Sequence, residues 1–381
     1  MPTDALFSPL ALPGLELVNR VSMAPMTRRR SPDRQLASSL TASYYARRAA
    51  GGVGLIITEG VRFDPVHRAD TEDIPAIITD EQEEAWARVV RAVREASSGA
   101  SRIAIQLWHT GRHGLDPIGP SPVPALKRGG GYRPTPRPMT RDDMDHVRRS
   151  FADAARRAVR AGFDAVEIHG AHGYLLDSFL SPKANQREDD FGGPLENRMR
   201  FPLSCVAAVR EAVGPRYPVL YRFSRWTFDP SDPGNFHEPR SLARFVRGLR
   251  DAGASVLHVS TPDAAALAFP TMHDGGVEEF LHEPGLMLAP PPTTLSGWSR
   301  ALSGLPTIAV GRVSVSASMG DDELVEITDP APAGELVERG EADIVAVGRA
   351  LIANPDWCAL VRAGRWRELK PYSRTMLESL E

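Results

Sequence analysis

The chain is poor in cysteine. It has two, Cys205 and Cys358, far apart in the sequence and each within a helical pattern. Because there is no Cys-x-x-Cys pair, the sequence suggests neither an iron–sulfur cluster nor a zinc ribbon. Two isolated thiols are typical of buried, inert side chains and fit a reducing compartment. We therefore expect a cytoplasmic protein.

The chain also has a small net charge, few lysines and no long apolar run. The formal net charge is −3, and lysine occurs at only three positions, Lys127, Lys183 and Lys370. The remaining basic residues are scattered arginines, so no global field favours nucleic acid. No apolar run is long enough to cross a membrane, and residues 1–4 do not resemble the start of a signal peptide. We expect neither a nucleic-acid partner nor a membrane partner.

Apolar runs that fit strands alternate with amphipathic patterns that fit helices along most of the chain. The 381 residues are 42% hydrophobic and 24% charged, as expected of a sizeable globular domain. Residues Leu6–Leu10 and Leu15–Leu17 predict an N-terminal hairpin. Eight strands follow, at Val21–Met26, Gly54–Gly60, Ile103–His109, Ala165–Ile168, Pro218–Ser224, Ser255–Ser260, Pro306–Gly311 and Asp343–Arg349. Helices are indicated near Ser39–Ala50, Asp80–Ala96, Thr140–Gly162, Pro194–Val213 and Pro355–Ala363.

This alternation predicts an α/β fold, a closed (β/α)8 TIM barrel in a single domain over residues 1–381. The strands are continuous apolar runs, as expected when both faces of the sheet are covered. The alternative is an open doubly wound sheet, which would need a glycine-rich turn after its first strand. The sequence Met23–Thr27 is not such a turn.

A long segment rich in proline and glycine, residues 111–138, follows the third strand. Segments of this length without periodicity are usually functional when they lie within a compact domain. We interpret this one as a lid over the active site. A disordered insertion is the alternative.

Polar side chains at the carboxyl ends of the strands should form the active site of such a barrel. The fourth strand leads into His169, His172 and Tyr174, separated by small residues that allow a sharp turn. Three donors can polarise a carbonyl oxygen, and a phenol can hand over a proton. The alternative role of these groups is structural, as caps of a helix or partners of loop carbonyls.

Other strand ends offer groups that suit a phosphorylated, flat cofactor. Gly311-Arg312 and Gly348-Arg349 follow strands seven and eight, where barrels commonly bind phosphate. The polar edge of an isoalloxazine ring could bond to the side chains of Gln106 and Arg222 and to the hydroxyl of Thr27. These groups fit FMN, and no metal site is expected. Gln106 and Arg222 could instead form an internal network that braces the barrel.

Several longer motifs resemble the old yellow enzyme family of FMN-dependent ene-reductases. They cover nearly the whole chain in order, and the central one is highly specific. They are Asn19–Arg28, Gln106–Arg112, His169–Pro182, Asn185–Arg187 with Phe191–Arg198, and Val347–Arg349. Pro194 stands where serine is usual, but it suits a first helical turn and we expect little effect. The loops Ser224–Pro230 and Arg312–Ala333 are also atypical of the best-known members, which leaves the substrate range and the oligomer contacts open.

The resemblance implies roles for individual residues. His169 and His172 would bind the carbonyl oxygen of an α,β-unsaturated substrate, Tyr174 would donate a proton, and NAD(P)H would supply the hydride. Thr27 stands where some members carry cysteine, so the chain resembles the threonine-bearing branch, in which the hydroxyl tunes the flavin. FMN would be held by Ala24, Pro25, Met26, Thr27, Gly60, Gln106, Arg222, Gly311, Arg312, Gly348 and Arg349.

Three alternatives stay open at this point. A flavin-dependent dehydrogenase of the same family could use the same residues in the oxidative direction. A non-redox phosphate-binding barrel, such as an isomerase, would explain Gly348-Arg349 but not Gln106 and Arg222. A metal-dependent hydrolase would want more ligands at the strand ends than the sequence supplies. A homodimer is one oligomeric state that the sequence allows.

Overall fold

Eight parallel strands close into a barrel in the computed structural model, which describes residues 2–69, 71–127, 130–232, 234–269, 290–317 and 324–380. Each barrel strand pairs with the next along the chain, and the eighth pairs with the first. The predicted (β/α)8 barrel is therefore confirmed. In chain order the barrel strands are Val21–Met23, Leu55–Val61, Arg102–Leu107, Ala165–His169, Val219–Ser224, Val256–Ser260, Thr307–Val310 and Ile344–Val347.

Helices surround the barrel, and local capping explains where several of them begin. Thr79 and Gln82 form a capping box, as do Thr140 and Asp143, so each satisfies backbone N–H groups at a helix start. The described α-helices are Ser39–Ala50, Asp80–Ala96, Arg141–Ala161, Leu175–Leu180, Leu195–Val213, Pro239–Asp251, Leu295–Ser303, Ala331–Glu338, Arg349–Ala353 and Trp357–Arg362. The described 3-10 helices are Pro2–Phe7, Gly111–His113, Trp366–Glu368 and Arg374–Leu377.

An N-terminal hairpin closes one end of the barrel. Its strands, Leu10–Leu12 and Leu15–Leu17, are antiparallel, so the predicted hairpin is confirmed although its first strand starts later than expected. Leu15 and Leu17 are buried in an apolar cluster inside the barrel. This cluster fills the end where the strands begin, which leaves the carboxyl ends as the open mouth. Its other buried members are Ala24, Leu55, Ile57, Ala104, Ala165, Leu220, Val256, Ile308, Ile344 and Ala346.

The strand ends differ from the sequence prediction in two places. The first barrel strand stops at Met23 rather than Met26, because Pro25 has no N–H to donate to a neighbouring strand. The third stops at Leu107, before His109. Within the segment 111–138, Ile118–Gly119 pairs with Arg137–Pro138, so part of this stretch is ordered. Leu324–Val325 and Tyr372–Ser373 form another two-stranded sheet.

The two cysteines lie where the sequence placed them, inside helices. Both Cys205 and Cys358 are buried and free, and burial raises the pKa of each thiol well above its ordinary range. Buried thiols of this kind are not reactive. Among the helices that the structure describes, none is both long and apolar enough to span a bilayer.

Candidate active site

The sequence-predicted catalytic residues come together after the fourth barrel strand. The ring centroids of His169 and His172 are 5.3 Å apart, and that of Tyr174 lies 5.2 Å from His169. Both histidines are buried, whereas Tyr174 is half-buried. The three groups therefore share one small region at the mouth of the barrel.

A strained turn sets the directions of these side chains. His172 has φ +65°, a left-handed conformation that is uncommon outside glycine, and Gly173 follows with φ +81°. Two hydrogen bonds hold the turn: His172 N–H donates to Ser224 Oγ at 2.9 Å, and Gly173 N–H donates to Asp177 Oδ2 at 2.6 Å. Asp177 is fully buried, and burial raises the pKa of its carboxyl group to about 7.

Hydrogen bonding selects the tautomer of His169. Ala171 N–H donates to His169 Nδ1 at 3.3 Å, so Nδ1 carries a lone pair and Nε2 carries the proton. Burial, with the nearby charge of Arg222, holds the pKa of His169 well below its ordinary value. At neutral pH this residue is therefore an uncharged donor through Nε2.

A short chain of hydrogen bonds joins His172 to Arg222 through Ser260. Arg222 Nη2 donates to Ser260 Oγ at 3.3 Å, and Ser260 Oγ lies 2.9 Å from His172 Nε2. Because a guanidinium can only donate, the Ser260 proton is free to be donated to His172 Nε2, and a His172 ring that accepts it carries its own proton on Nδ1. Burial and Arg222 keep the pKa of His172 well below its usual range as well.

Aromatic rings enclose Tyr174 and His172. Trp108 lies 5.0 Å from the Tyr174 ring between centroids, and His113 lies 5.1 Å from it on another side. Trp226 lies 4.5 Å from the His172 ring with a 32° tilt, and Phe228 contacts both His172 and Tyr174. These rings cover the buried His172 ring and pack on several sides of the half-buried Tyr174.

A cavity of about 200 Å³ adjoins this cluster at the barrel mouth. Its walls come from the ends of the first, fifth, sixth, seventh and eighth barrel strands. Eight of the residues predicted to hold a cofactor line it: Ala24, Pro25, Met26, Arg222, Gly311, Arg312, Gly348 and Arg349. Trp226 and Ser260 line it too, and so connect it to His172.

The cavity has the polar groups that an anionic, flat cofactor needs. Arg222 Nε is buried and has no hydrogen-bond partner within the described part of the chain, which is costly unless a ligand accepts from this side chain. Burial lowers the pKa of Arg222 to about 10, so the side chain stays charged at neutral pH. Gly311 has φ +149°, and a Cβ there would lie 2.3 Å from the Thr261 carbonyl oxygen. Gly311 therefore packs against the loop after the sixth barrel strand, where a side chain would not fit. With a charged, buried arginine and glycine turns after the seventh and eighth strands, the residues fit FMN.

The two arginines predicted to meet the phosphate differ in their surroundings. Arg312 is partly exposed and pairs with Asp263 at 3.1 Å. Arg349 is partly buried, and its guanidinium donates to the Ala317 carbonyl oxygen. Residues 318–323, in the atypical loop Arg312–Ala333, lie outside the described residues.

Three predicted cofactor residues are absent from the described lining of this cavity. Thr27 is exposed, and Gly60 packs so tightly on Trp108 that a Cβ would lie 2.9 Å from the indole ring. Gln106 is buried, and its Nε2 donates to Glu167 at 2.7 Å. This is the internal network considered as the alternative for Gln106, so the role of these three toward a cofactor stays a prediction.

A buried acid anchors the loop that carries Thr27. Glu59, at the end of the second barrel strand, accepts the backbone N–H groups of Arg28 at 2.8 Å and Arg29 at 3.2 Å. Burial outweighs these hydrogen bonds and raises the pKa of Glu59 from 4.5 to about 7. The loop geometry therefore depends on a carboxyl group that titrates near neutrality.

Glu59 should make the protein less stable as the pH rises from about 4.5 to 7. In this window the folded protein holds a proton that the unfolded chain has lost, so the free energy of unfolding falls with pH. The loss from this group is about 3 kcal/mol. We expect Glu59→Gln to flatten the pH dependence of urea unfolding by about that amount. Parallel curves for the variant and the unchanged protein would contradict the assignment.

Sequence reasoning missed several residues of this site. Ser260 ends the sixth barrel strand, and an inventory that included that strand end would have found it. Trp226 and Phe228 belong to the loop noted only as atypical. Asp177 and Glu59 act through backbone N–H groups, for which the sequence has no pattern.

A second cluster lies outside this cavity. Asp64, His67 and His109 place three potential ligand atoms within 4.8 Å of one another. However, Gly111 N–H donates to His109 Nδ1 at 3.0 Å, so Nε2 of the neutral ring carries the proton and donates to Asp64 at 3.2 Å. His146 Nε2 also lies 3.0 Å from Asp64. The arrangement is that of a saturated hydrogen-bonded carboxylate rather than a metal centre.

A (β/α)8 barrel with this donor set and this cavity at its mouth has the architecture of a flavin-binding oxidoreductase. The chain belongs to the NADH:flavin oxidoreductase / NADH oxidase family, whose family model matches residues 5–368. The resemblance to the old yellow enzyme family is thereby confirmed, while assignment to its threonine-bearing branch stays a prediction.

Known proteins resemble the chain over nearly its whole length. The NADH oxidase of Thermoanaerobacter brockii is 33% identical over 376 residues, which are 96% of this chain. The chain spans about half, 52%, of that relative's length. Morphinone reductase in complex with tetrahydroNAD is 31% identical, with a TM-score of 0.76 over 98% of this chain and 94% of that one. The old yellow enzyme homologue from Zymomonas mobilis is 26% identical, with a TM-score of 0.76, and the match covers 98% of this chain and 96% of that one.

Proposed function

We propose that the protein is an FMN-dependent oxidoreductase that takes hydride from NAD(P)H and reduces the C=C bond of α,β-unsaturated carbonyl compounds or similar activated alkenes. FMN supplies the two-electron redox chemistry that side chains do not offer. One observation carries the proposal: two neutral imidazoles, His169 with its proton on Nε2 and His172 bonded to Ser260, stand beside Tyr174, next to a cavity that contains a charged, buried Arg222.

The side chains would divide the work at the substrate. His169 Nε2–H and His172 Nδ1–H donate to the carbonyl oxygen, which draws electron density from the β-carbon. Hydride adds to that carbon, and the Tyr174 hydroxyl gives its proton to the α-carbon, so the alkene gains one hydride and one proton. The names morphinone reductase and NADH oxidase, borne by similar proteins, support this chemistry.

The cofactor would be held from several strand ends. Arg222 would meet the ring through the guanidinium that lacks a partner at Nε, and Arg349 with Gly348 and Gly311 would meet the phosphate. Thr27 and Gln106 are proposed to complete the ring contacts. We further propose that segment 111–138 covers the Tyr174 side of the site. His113 packs on Tyr174 in support of this, and Arg187 donates to the carbonyls of Pro120, within the segment, and Met139, directly after it.

Arg349→Ala should weaken FMN binding about tenfold to a hundredfold, because a charge-assisted hydrogen bond to phosphate is worth about 1.5–3 kcal/mol. Titration of the apoprotein with FMN, followed by flavin fluorescence, measures the change. Arg339→Ala is the matched control, since Arg339 is an exposed arginine that pairs with Glu335 on an outer helix. Equal FMN affinity in both variants would place the phosphate elsewhere, and an apoprotein that binds no FMN at all would contradict the proposed function.

A further inference from the structure

Four neighbouring strands place a layer of polar side chains inside the barrel, under its mouth. Gln106 on the third strand is in register with Glu167 on the fourth, and Arg222 on the fifth is in register with His258 on the sixth. Glu167 and His258 are fully inaccessible to solvent. Burying the Glu167 carboxylate costs free energy, so the groups that bond to it indicate its role.

Glu167 bridges two of the other members. Its Oε1 accepts from Gln106 Nε2 at 2.7 Å, and its Oε2 lies 2.6 Å from His258 Nδ1. Burial opposes ionisation of Glu167, but the hydrogen bond from His258, the charge of Arg222 and the hydrogen bond from Gln106 outweigh it and lower the pKa of the carboxyl group. An ionised carboxylate can only accept, so the Gln106 amide must turn its NH2 toward Glu167. The amide oxygen is then the atom of Gln106 left for a ligand.

The same carboxylate offsets the charge of Arg222. Burial lowers the pKa of His258, so this ring is neutral, donates through Nδ1 and adds no positive charge to the layer. Glu167 favours the charged form of Arg222, the guanidinium that lines the cofactor cavity. The negative charge of Glu167 therefore cancels part of the positive potential that Arg222 produces in the cavity.

We propose that Glu167 is a positioning residue that presents the Gln106 amide oxygen to the flavin, offsets part of the Arg222 charge, and thereby lowers the reduction potential of the bound FMN. The inference rests on the proposed function, because it takes FMN as the ligand of the cavity. Reduction adds negative charge to the flavin, so a buried carboxylate close to Arg222 disfavours the reduced form. Glu167 itself need not touch the cofactor.

The test is the reduction potential of bound FMN in the unchanged protein and in Glu167→Gln. Glutamine keeps the size of the side chain and one acceptor but removes the charge. We expect the variant to bind reduced FMN about tenfold more tightly relative to oxidised FMN, which raises the potential by about 30 mV for a two-electron couple. Glu341→Gln is the matched control: Glu341 is a buried acid that accepts from Thr293 and Thr294 and does not line the cofactor cavity, so the potential should not move.

An unchanged potential in Glu167→Gln would overturn the inference, because a purely structural role predicts that the variant weakens the binding of both redox states equally. If Glu167→Gln does not fold, the exchange variant Gln106→Glu with Glu167→Gln keeps one acid and one amide in the pair. The exchange variant moves the negative charge toward the flavin, so the reduction potential of its bound FMN should fall below that of the unchanged protein. A potential at or above that of the unchanged protein would overturn the inference. If the unchanged protein binds no FMN, the proposed function fails first.

Discussion

Replacing Tyr174 with phenylalanine is expected to slow reduction of an enone by about a hundredfold or more, while reduction of the flavin by NAD(P)H stays nearly unchanged. A positioned general acid typically contributes a factor of about 10²–10⁴. Phenylalanine keeps the ring that packs on Trp108, His113 and His169 but removes the proton. Stopped-flow absorbance measures the two steps separately.

Tyr132→Phe is the matched control for this prediction. It removes a hydroxyl from an exposed tyrosine within segment 111–138, so both steps should proceed as in the unchanged protein. If Tyr174→Phe slowed both steps equally, the defect would lie in the flavin site as a whole. Tyr174 would then not be the proton donor.

Replacing His169 with alanine should lower kcat/KM for an enone by about 10²–10³, the usual cost of losing one donor to a developing oxyanion. The Ala171 N–H that donates to Nδ1 leaves the proton of His169 on Nε2, and alanine has no donor to replace it. Because burial and Arg222 hold the pKa values of His169 and His172 well below the ordinary range, both rings stay neutral. The plot of kcat/KM against pH should therefore show no ionisation of either ring between about pH 6 and 8.

The control for His169 is His146→Ala, on the outer helix that follows segment 111–138. It should leave kcat/KM unchanged, since His146 bonds to Asp64 outside the cavity. Ser260→Ala should reproduce part of the His169 effect, because without Ser260 the His172 ring is free to present a lone pair instead of Nδ1–H. Enone kinetics unaffected by His169→Ala would remove the imidazoles from carbonyl binding.

Most of the fold could be read from local pattern. Each barrel strand is buried on both faces, so its apolar run is continuous, and each helix presents one apolar stripe. Capping boxes at Thr79 and Thr140 mark helix starts that need no tertiary information. The strand ends were less predictable. The end of the first strand has a local cause, Pro25, but whether His109 continues the third strand depends on a neighbouring strand far away in the chain.

The site could be predicted in part, because a barrel brings all its strand ends to one mouth. That rule places His169, Arg222 and Gly348 in one site although the distances between them are unknown from the sequence. It does not supply tautomers, which depend on hydrogen bonds such as Ser260 to His172, across 88 residues of sequence. Nor does it reveal that Trp226 packs on His172, since a loop side chain is directed by tertiary contacts.

The most direct test of the central claim is anaerobic mixing of the FMN-loaded protein with NADH or NADPH, followed by an enone such as cyclohexenone. The proposed function predicts that the flavin absorbance bleaches with at least one of the two nucleotides. The enone then restores it, with one saturated ketone formed per flavin. Bleached flavin that no member of an enone panel restores would contradict the account, as would a flavin that neither nucleotide reduces.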